Sequence, residues 1–219
     1  MAVRVGVVGC GYWGRNLVRV FHELGVLCAV CDVDVALATE FSSEYSVPSL
    51  EWVEILEDRS IDAVAIATPA EVHSTQALQS LQAGKHVFVE KPLALHSYEA
   101  EEVIALANQG ERVLMVGHLL QYHPAFLALR DLTEAGKLGR LQYIYSNRLN
   151  FGKVRREENV FWSFAPHDIS MILSLTGEMP NSISAKGASY LHKVIADVTN
   201  TYLTFPSGVN AHIFVSWLH

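Results

Sequence analysis

The sequence predicts an α/β chain: a doubly wound parallel sheet covered by helices, followed by an α+β region on an open, mainly antiparallel sheet. Three observations predict it. In the first half, short apolar runs (Val5–Val8, Leu27–Cys31, Ala63–Ala67, His86–Val89 and Val113–Val116) alternate with segments of helical spacing, the pattern of parallel strands joined by crossover helices. From Leu141 onward the segments lengthen and alternate polar with apolar: LQYIYSNRLN, SISAKGASYL, ADVTNTYLTF and VNAHIFVSWL. Strands with one solvated face read this way. The first pattern gives way to the second near Gly117, which divides the chain into residues 1–120 and 121–219.

The first strand runs into Gly9, Gly11 and Gly14, and a helical pattern follows from Arg15. Strand, tight turn and helix form the context of a Rossmann dinucleotide-binding fingerprint. Gly9 allows the sharp turn, Gly11 lets backbone approach a pyrophosphate, and Gly14 lets the helix pack close. The helix start then offers N–H groups and a partial positive charge to phosphates. Asp32 closes the second apolar run. Its carboxylate can accept from both ribose hydroxyls and would repel a 2′-phosphate, or it can be an acidic turn residue. Val33 and Asp34 add no cation, so NAD is expected rather than NADP.

The remaining elements follow in order. Leu37, Phe41 and Tyr45 share a helical face over Val35–Tyr45. A helix is expected from Glu71 to Ala83, with Val72, Ala77, Leu78 and Leu81 on one side and Gly84 as its stop. Ser97 is the expected N-cap of a helix to Asn108. A further helix covers Pro124–Ala135 and ends at Gly136. In the second region a helix is expected from Pro166 to Leu175, stopped by Gly177, and Pro206-Ser207-Gly208 makes a hairpin turn. The apolar last strand reaches His219, so the expectation is the front part of a longer polypeptide, or an edge covered by a partner chain.

The 219 residues suffice for a sizeable core, and 50% are hydrophobic with 18% charged, as in a globular enzyme. A net charge of −7 without a dense Lys/Arg run argues against a nucleic-acid partner. No stretch approaches a membrane span and no secretory signal is present, so no membrane partner is expected. Cysteines at 10, 28 and 31 fit a reducing cytoplasm. Cys28 and Cys31 have redox-motif spacing, but residues three apart on a strand face opposite ways, so both read as small buried hydrophobes. The ten histidines show no zinc-type spacing, and no metal is expected.

Three short segments lie at strand ends where chemistry belongs. In Ala67-Thr68-Pro69-Ala70-Glu71-Val72-His73, Pro69 holds a turn beside the cofactor and Thr68 can bond toward it. His73 is either a site residue or a helix-end histidine with a backbone partner. In Glu90-Lys91-Pro92 the ammonium of Lys91 would face the crevice and polarise a hydroxyl or carbonyl oxygen, and the X–Pro bond is a candidate for the cis form. In Ser163-Phe164-Ala165-Pro166-His167-Asp168, His167 is placed near the helix N-terminus, where the dipole would keep its ring a proton acceptor. Asp168 is either catalytic or a favourable charge at that helix start.

Together VGVVGCGYWG, Asp32, ATPAEVH, VEKPLA and PHDISMIL, in this order over essentially the whole chain, resemble the Gfo/Idh/MocA family of nicotinamide-dependent sugar and polyol oxidoreductases. The resemblance implies a secondary hydroxyl oxidised, or its ketone reduced, by hydride exchange with the nicotinamide. Lys91 would orient and polarise the reacting oxygen and His167 would be the acid/base. The cofactor is expected on Gly9, Gly11, Tyr12, Trp13, Gly14, Asp32, Thr68, Pro69, His73, Glu90, Lys91 and Pro92. The resemblance also implies that the open sheet carries substrate contacts and pairs subunits into dimers or tetramers. Many members have an Asp four residues before the catalytic His; here that position is Ser163, so that role is not carried over. Family chains run longer, which implies a C-terminally truncated chain.

The polar stretch from Asn147 to Lys153, followed by Arg155-Arg156-Glu157-Glu158-Asn159, offers cations for a phosphate or carboxylate. It is similar to members that oxidise the 3-hydroxyl of UDP-N-acetylhexosamines or their uronates for surface-polysaccharide synthesis; a solvated charged loop reads the same way. Substrate contacts are expected from Asn147, Arg148, Asn150, Arg155, Trp162 and Asp168. Two alternatives stand beside a nucleotide-sugar dehydrogenase: a dehydrogenase of a free cyclitol or monosaccharide, and a non-catalytic NAD-binding regulator on the same fold.

Overall fold

The computed structural model describes residues 3–151, 158–191 and 193–219. The chain divides into two compact units, Met1–Gly117 and His118–His219. In the first, β1 (Val5–Val8), β2 (Leu27–Cys31), β3 (Ala63–Ile66), β4 (His86–Val89) and β5 (Leu114–Val116) form one parallel sheet in the order β2-β1-β3-β4-β5. The connections are α1 (Gly14–Glu23), α2 (Val35–Tyr45), α3 (Trp52–Glu57), α4 (His73–Gln82) and α5 (Ser97–Gln109). Two apolar clusters enclose the sheet. One joins Val64, Ile66, Val87 and Val89 to Ala77, Leu81, Val103 and Ala107. The other joins Val5, Val7, Val30 and Ala65 to Val18 and Phe41.

Local chemistry explains most element boundaries. Asp34 caps α2, its side chain accepting from the N–H groups of Ala36 and Leu37, as an N-cap carboxylate does. Three expectations are corrected. Segment 71–83 begins with a 3-10 turn, Ala70–Val72, and Val72 is exposed rather than on the buried side. Pro69 sits in extended backbone before that tighter turn. Ser97 is the first residue of α5, not its cap; His96 precedes it with no side-chain cap bond.

The alternation expected between Cys28 and Cys31 is broken by a register shift. Val5 pairs with Leu27 but Gly6 pairs with Ala29, leaving Cys28 as the extra residue of a bulge. Both cysteines therefore reach the same apolar cluster. All three cysteines are free and buried. Burial, reinforced by the Asp32 carboxylate, pushes the Cys10 thiol up to about 12. Burial and the nearby carboxylates push Cys31 up to about 11.

The second unit carries α6 (Pro124–Glu134), β6 (Tyr143–Leu149), α7 (Val160–Thr176), β7 (Ser182–Ala188), β8 (Val198–Thr204) and β9 (Asn210–Ser216). Its sheet runs β6-β9-β8-β7. The β7–β8 and β8–β9 pairs are antiparallel and β6–β9 is parallel, so the sheet is mixed and mostly antiparallel. Helix α7 covers one face, where Val160, Ala165 and Ile172 meet Leu203, Ala211, Ile213, Val215 and Trp217. Asp197, fully buried, accepts from the N–H groups of Tyr190 and Leu191 and from the Trp217 indole at 2.5, 2.7 and 2.6 Å.

Helix α7 departs most from expectation. It begins six residues before Pro166, with Asn159 as its cap accepting from the Trp162 N–H at 3.1 Å. Pro166 lies inside the helix, where it removes one N–H and crowds the preceding turn. The buried residues Val160, Ser163, Ala165, Asp168 and Ile172 recur at helical spacing through the proline, so packing against the sheet outweighs the local preference. Gly177, with φ 67°, ends the helix. Among the described residues no helix is long and apolar enough to cross a membrane.

Candidate active site

The parallel strands end level. Cys31, Val8, Ile66, Val89 and Val116 are paired across the sheet. The ladder continues one residue further: Gly9, Ala67, Glu90 and Gly117 donate to the carbonyls of Cys31, Val8, Ile66 and Val89 at 2.8–2.9 Å. Asp32, the glycine turn, the Thr68 turn and the Lys91 turn thus leave one carboxyl edge together. Ligands of doubly wound sheets bind at such an edge.

Two glycines of the first turn are required by space. Gly9 has φ +88°, and a Cβ there would stand 2.7 Å from the Ala67 carbonyl carbon; a Cβ on Gly14 would stand 1.7 Å from the Gly9 oxygen. Gly11 differs, for a Cβ on it would meet nothing within 4 Å. Helix α1 follows without a side-chain cap and without an acidic residue in its first turn, which leaves its positive end to a ligand. An NAD pyrophosphate fits this arrangement. Tyr12 is 90% exposed and Trp13 42% exposed on the same turn.

Asp32 is tied into that turn by its own backbone. Its carboxylate accepts from the N–H of Cys10 at 2.6 Å and of Asp34 at 2.9 Å, so it fastens the glycine turn to the end of β2. This structural duty was invisible in the sequence, yet each oxygen retains capacity to accept a ribose hydroxyl.

The Thr68 and Lys91 turns are joined by the buried ring of His73. Thr68 Oγ1 donates to Gln76 Oε1 at 2.6 Å. Nitrogens Nδ1 and Nε2 of His73 lie 2.7 Å from the Pro92 carbonyl oxygen and 2.8 Å from that of Thr68. His73 therefore holds turns by its backbone partners, the second of the two readings open in the sequence. The Lys91–Pro92 peptide is cis. Burial pushes the Glu90 carboxyl above its ordinary value, opposed by hydrogen bonds from the Trp13 side chain and the Lys91 N–H and by the charges of Lys91 and His73. Trp13 of the glycine turn thus lies near enough to act on the Glu90 carboxyl before the Lys91 turn, a proximity that spacing alone does not reveal.

In the second unit His167 is half-buried in the middle of α7. The expected placement at the helix start is corrected: it lies two turns in, beyond the reach of the terminal dipole. Asp168 likewise is no helix-start charge. It is 2% exposed and accepts from Ser146 Oγ at 2.6 Å, Arg148 Nε at 2.7 Å and Arg148 Nη2 at 3.3 Å. The expectation that Arg148 is a cation awaiting a phosphate is corrected in part, since its fork is engaged by Asp168.

Along β6, Ser146 and Arg148 face α7, while Asn147 alternates to the exposed side. Asn150 is exposed, its N–H donating to the Ser216 carbonyl at 3.2 Å. Trp162 is 38% exposed in the first turn of α7. Arg155 lies outside the described residues. Among the described residues no group of three or more His, Cys, Asp or Glu could hold a metal ion.

Comparison with known proteins decides the family. A model of the oxidoreductase family with an NAD-binding Rossmann fold, Gfo/Idh/MocA, matches residues 3–118, and its C-terminal domain matches residues 126–219. The chain belongs to the Gfo/Idh/MocA family. The UDP-N-acetylglucosamine 3-dehydrogenase of Acidithiobacillus ferrooxidans is 32% identical over 98% of this chain and 67% of its own length. The inositol 2-dehydrogenase of Rhizobium meliloti is 28% identical over 90% of this chain and 62% of its own. The chain thus spans about two thirds of the length of these curated relatives. A crystal structure of the A. ferrooxidans enzyme, GnnA, superposes with a TM-score of 0.90 at 31% identity, over 99% of this chain and 70% of that one. Other family members therefore share both the Rossmann sheet and the mixed second sheet.

Proposed function

We propose that this chain serves an NAD-dependent dehydrogenase that oxidises a secondary hydroxyl of a nucleotide-linked sugar, the 3-position of a UDP-N-acetylhexosamine, in surface-polysaccharide synthesis. The observation that carries the reading is the level carboxyl edge, where Asp32, the open glycine turn, the Thr68 turn and the Lys91 turn emerge in that order. The relative acting on UDP-N-acetylglucosamine supplies the substrate class.

Gly9, Gly11, Gly14 and the start of α1 would hold the pyrophosphate, with Tyr12 and Trp13 on the same turn. Asp32 would receive the ribose and disfavour a 2′-phosphate, which makes NAD the cofactor and NADP the lesser one. Thr68, Pro69, Glu90 and Pro92 would line the nicotinamide side of that edge, and His73, between the Thr68 and Pro92 carbonyls, would hold it in place. When bound, the nicotinamide supplies the hydride acceptor. Lys91 would polarise the reacting oxygen, and His167 would take the hydroxyl proton. Trp162, Asn147, Asn150 and Arg155 would contact the sugar nucleotide, and Arg148, oriented by Asp168, would reach toward a phosphate or carboxylate.

The exposed face of the second sheet carries Tyr143, Tyr145 and Tyr202 at 69%, 59% and 58% exposure. His212 stacks between Tyr145 and Tyr202 at 4.9 and 4.6 Å. An aromatic face of this kind suits a second copy of the chain, giving a homodimer or homotetramer. Three free thiols suit a cytoplasmic setting.

Incubation with NAD and UDP-N-acetylglucosamine, its uronate, myo-inositol or simple sugars, followed by NADH absorbance, tests the proposal. NADH formation with a UDP-sugar is the expected result. Turnover with inositol alone would establish the cyclitol reading, which the R. meliloti relative favours. NAD binding with no turnover of any sugar would point to a regulator.

A further inference from the structure

His73 opens α4, is 2% exposed, and presents each ring nitrogen to a backbone carbonyl: Nδ1 to Pro92 at 2.7 Å and Nε2 to Thr68 at 2.8 Å. A carbonyl oxygen can only accept, so both contacts are hydrogen bonds only if both nitrogens carry hydrogen. A neutral imidazole has one N–H. In either tautomer its other nitrogen would set a lone pair against a carbonyl oxygen at hydrogen-bond distance, in a buried place where such a mismatch is costly. We infer that His73 is held as an imidazolium, and that this buried cation is a positioning residue that fixes the Lys91 turn to the Thr68 turn.

The surroundings suit a cation. Glu90 lies on the turn after β4, near enough that a positive ring at His73 would favour its carboxylate, while the Lys91 ammonium on the same turn is a like charge. Glu90 is 9% exposed, so its charge acts on the ring with little solvent between them. Two charge-assisted bonds to carbonyls and one buried carboxylate offset the burial of the ring's charge. On α4 itself the neighbouring polar group is Gln76, which is neutral and engaged by Thr68.

The mechanical consequence falls on Lys91. Its preceding residue is pinned by the Glu90 N–H bond to the Ile66 carbonyl at 2.9 Å. Its following residue is pinned through the Pro92 carbonyl by His73. With both flanks held, the Lys91 stem leaves the sheet edge from one place. This role rests on the reading that Lys91 acts on the substrate; the charge state of His73 does not.

The test reads the charge directly. Nitrogen-15 NMR of the histidine rings in the 219-residue chain, with His73 assigned by its absence in His73→Gln, is expected to show protonated-type shifts at both nitrogens at pH 7. An unprotonated shift at either nitrogen overturns the inference. In turnover assays His73→Gln and His73→Phe are expected to lower kcat about 100-fold, the scale of a small misplacement of a reacting group, with KM for NAD within about threefold. A kcat within about twofold of the unaltered chain would overturn the positioning role. Should either variant fail to fold, the His73 ring is assigned in the unaltered chain by through-bond correlation to its own backbone, and that spectrum still decides. That spectrum needs no substrate, so a chain that turns over no sugar refutes the functional reading separately.

Discussion

The two units hold their candidate functional groups by different means. At the carboxyl edge of the first sheet, side chains are tied to backbone: Asp32 to the N–H groups of Cys10 and Asp34, His73 to two carbonyls, Glu90 to the Lys91 N–H. Away from that edge, Lys85 repeats the pattern, donating to the Asp58 and Ile61 carbonyls at 2.6 and 2.8 Å. Around α7 the anchor is a set of side chains, Asp168 with Ser146 and Arg148. A turn at the end of a parallel strand leaves polar backbone groups without ladder partners, and buried side chains satisfy them. A helix lying on a sheet has no such groups along its length. Its rotation and register are fixed by packing and by a few polar pairs. The first arrangement depends on where strands stop, the second on a pair of residues matched across elements.

Breaking each arrangement should separate them. Lys91→Ala removes the group that the backbone-tied turns present, and kcat is expected to fall about 10³-fold, the range of a positioned polar catalyst; steady-state kinetics checks it. Gly14→Ala attacks the turn itself. A Cβ 1.7 Å from the Gly9 oxygen forces strand and helix apart, with an expected loss of about 3 kcal/mol or more. Thermal melting and NAD titration should both register it, the latter as affinity weakened more than tenfold.

Asp168→Asn tests the second arrangement. Removing one charge leaves the Arg148 guanidinium, whose side chain is 29% exposed, without its carboxylate. The expected cost is about 2 kcal/mol, below that of a fully buried pair because solvent reaches the arginine. Asp168→Asn with Arg148→Met should recover part of that loss in a double-mutant cycle. Additive losses would show that the pair does not anchor α7. The smallest effect concerns the cysteines. With Cys10 and Cys31 pushed up to about 12 and 11 by burial, thiolates are scarce at pH 8, and iodoacetamide should label the native chain negligibly and the unfolded chain at all three sites.

The first unit was largely legible because its signals are local. Three glycines, Asp32 and the Glu90-Lys91-Pro92 turn each sit where a strand must end, and apolar runs mark those strands. What escaped was tertiary. Nothing in the spacing joins His73 to Pro92, or Trp13 to Glu90, since those partners meet only when parallel strands align. In the second unit Pro166 looks like the first residue of a helix and is an interior one. Asn159, a cap residue followed by Val160 with Ala165 and Ile172 at helical spacing, carried the better signal. Misplacing that start also misassigned His167 to the helix dipole and hid the Asp168–Arg148 pair, whose members lie on different elements. The bulge at Cys28 was hidden likewise, because only the pairing partner reveals an extra residue.

The role proposed for the level carboxyl edge of the first unit is the removal of hydride from a sugar carbon to NAD. Turnover of UDP-N-acetylglucosamine carrying deuterium at C3, with mass spectrometry of the nucleotide product, tests it most directly. Deuterium in the reduced coenzyme, together with a slowed rate, is the expected result. Reduced coenzyme free of deuterium, or no reduction at all while NAD remains bound, would contradict it.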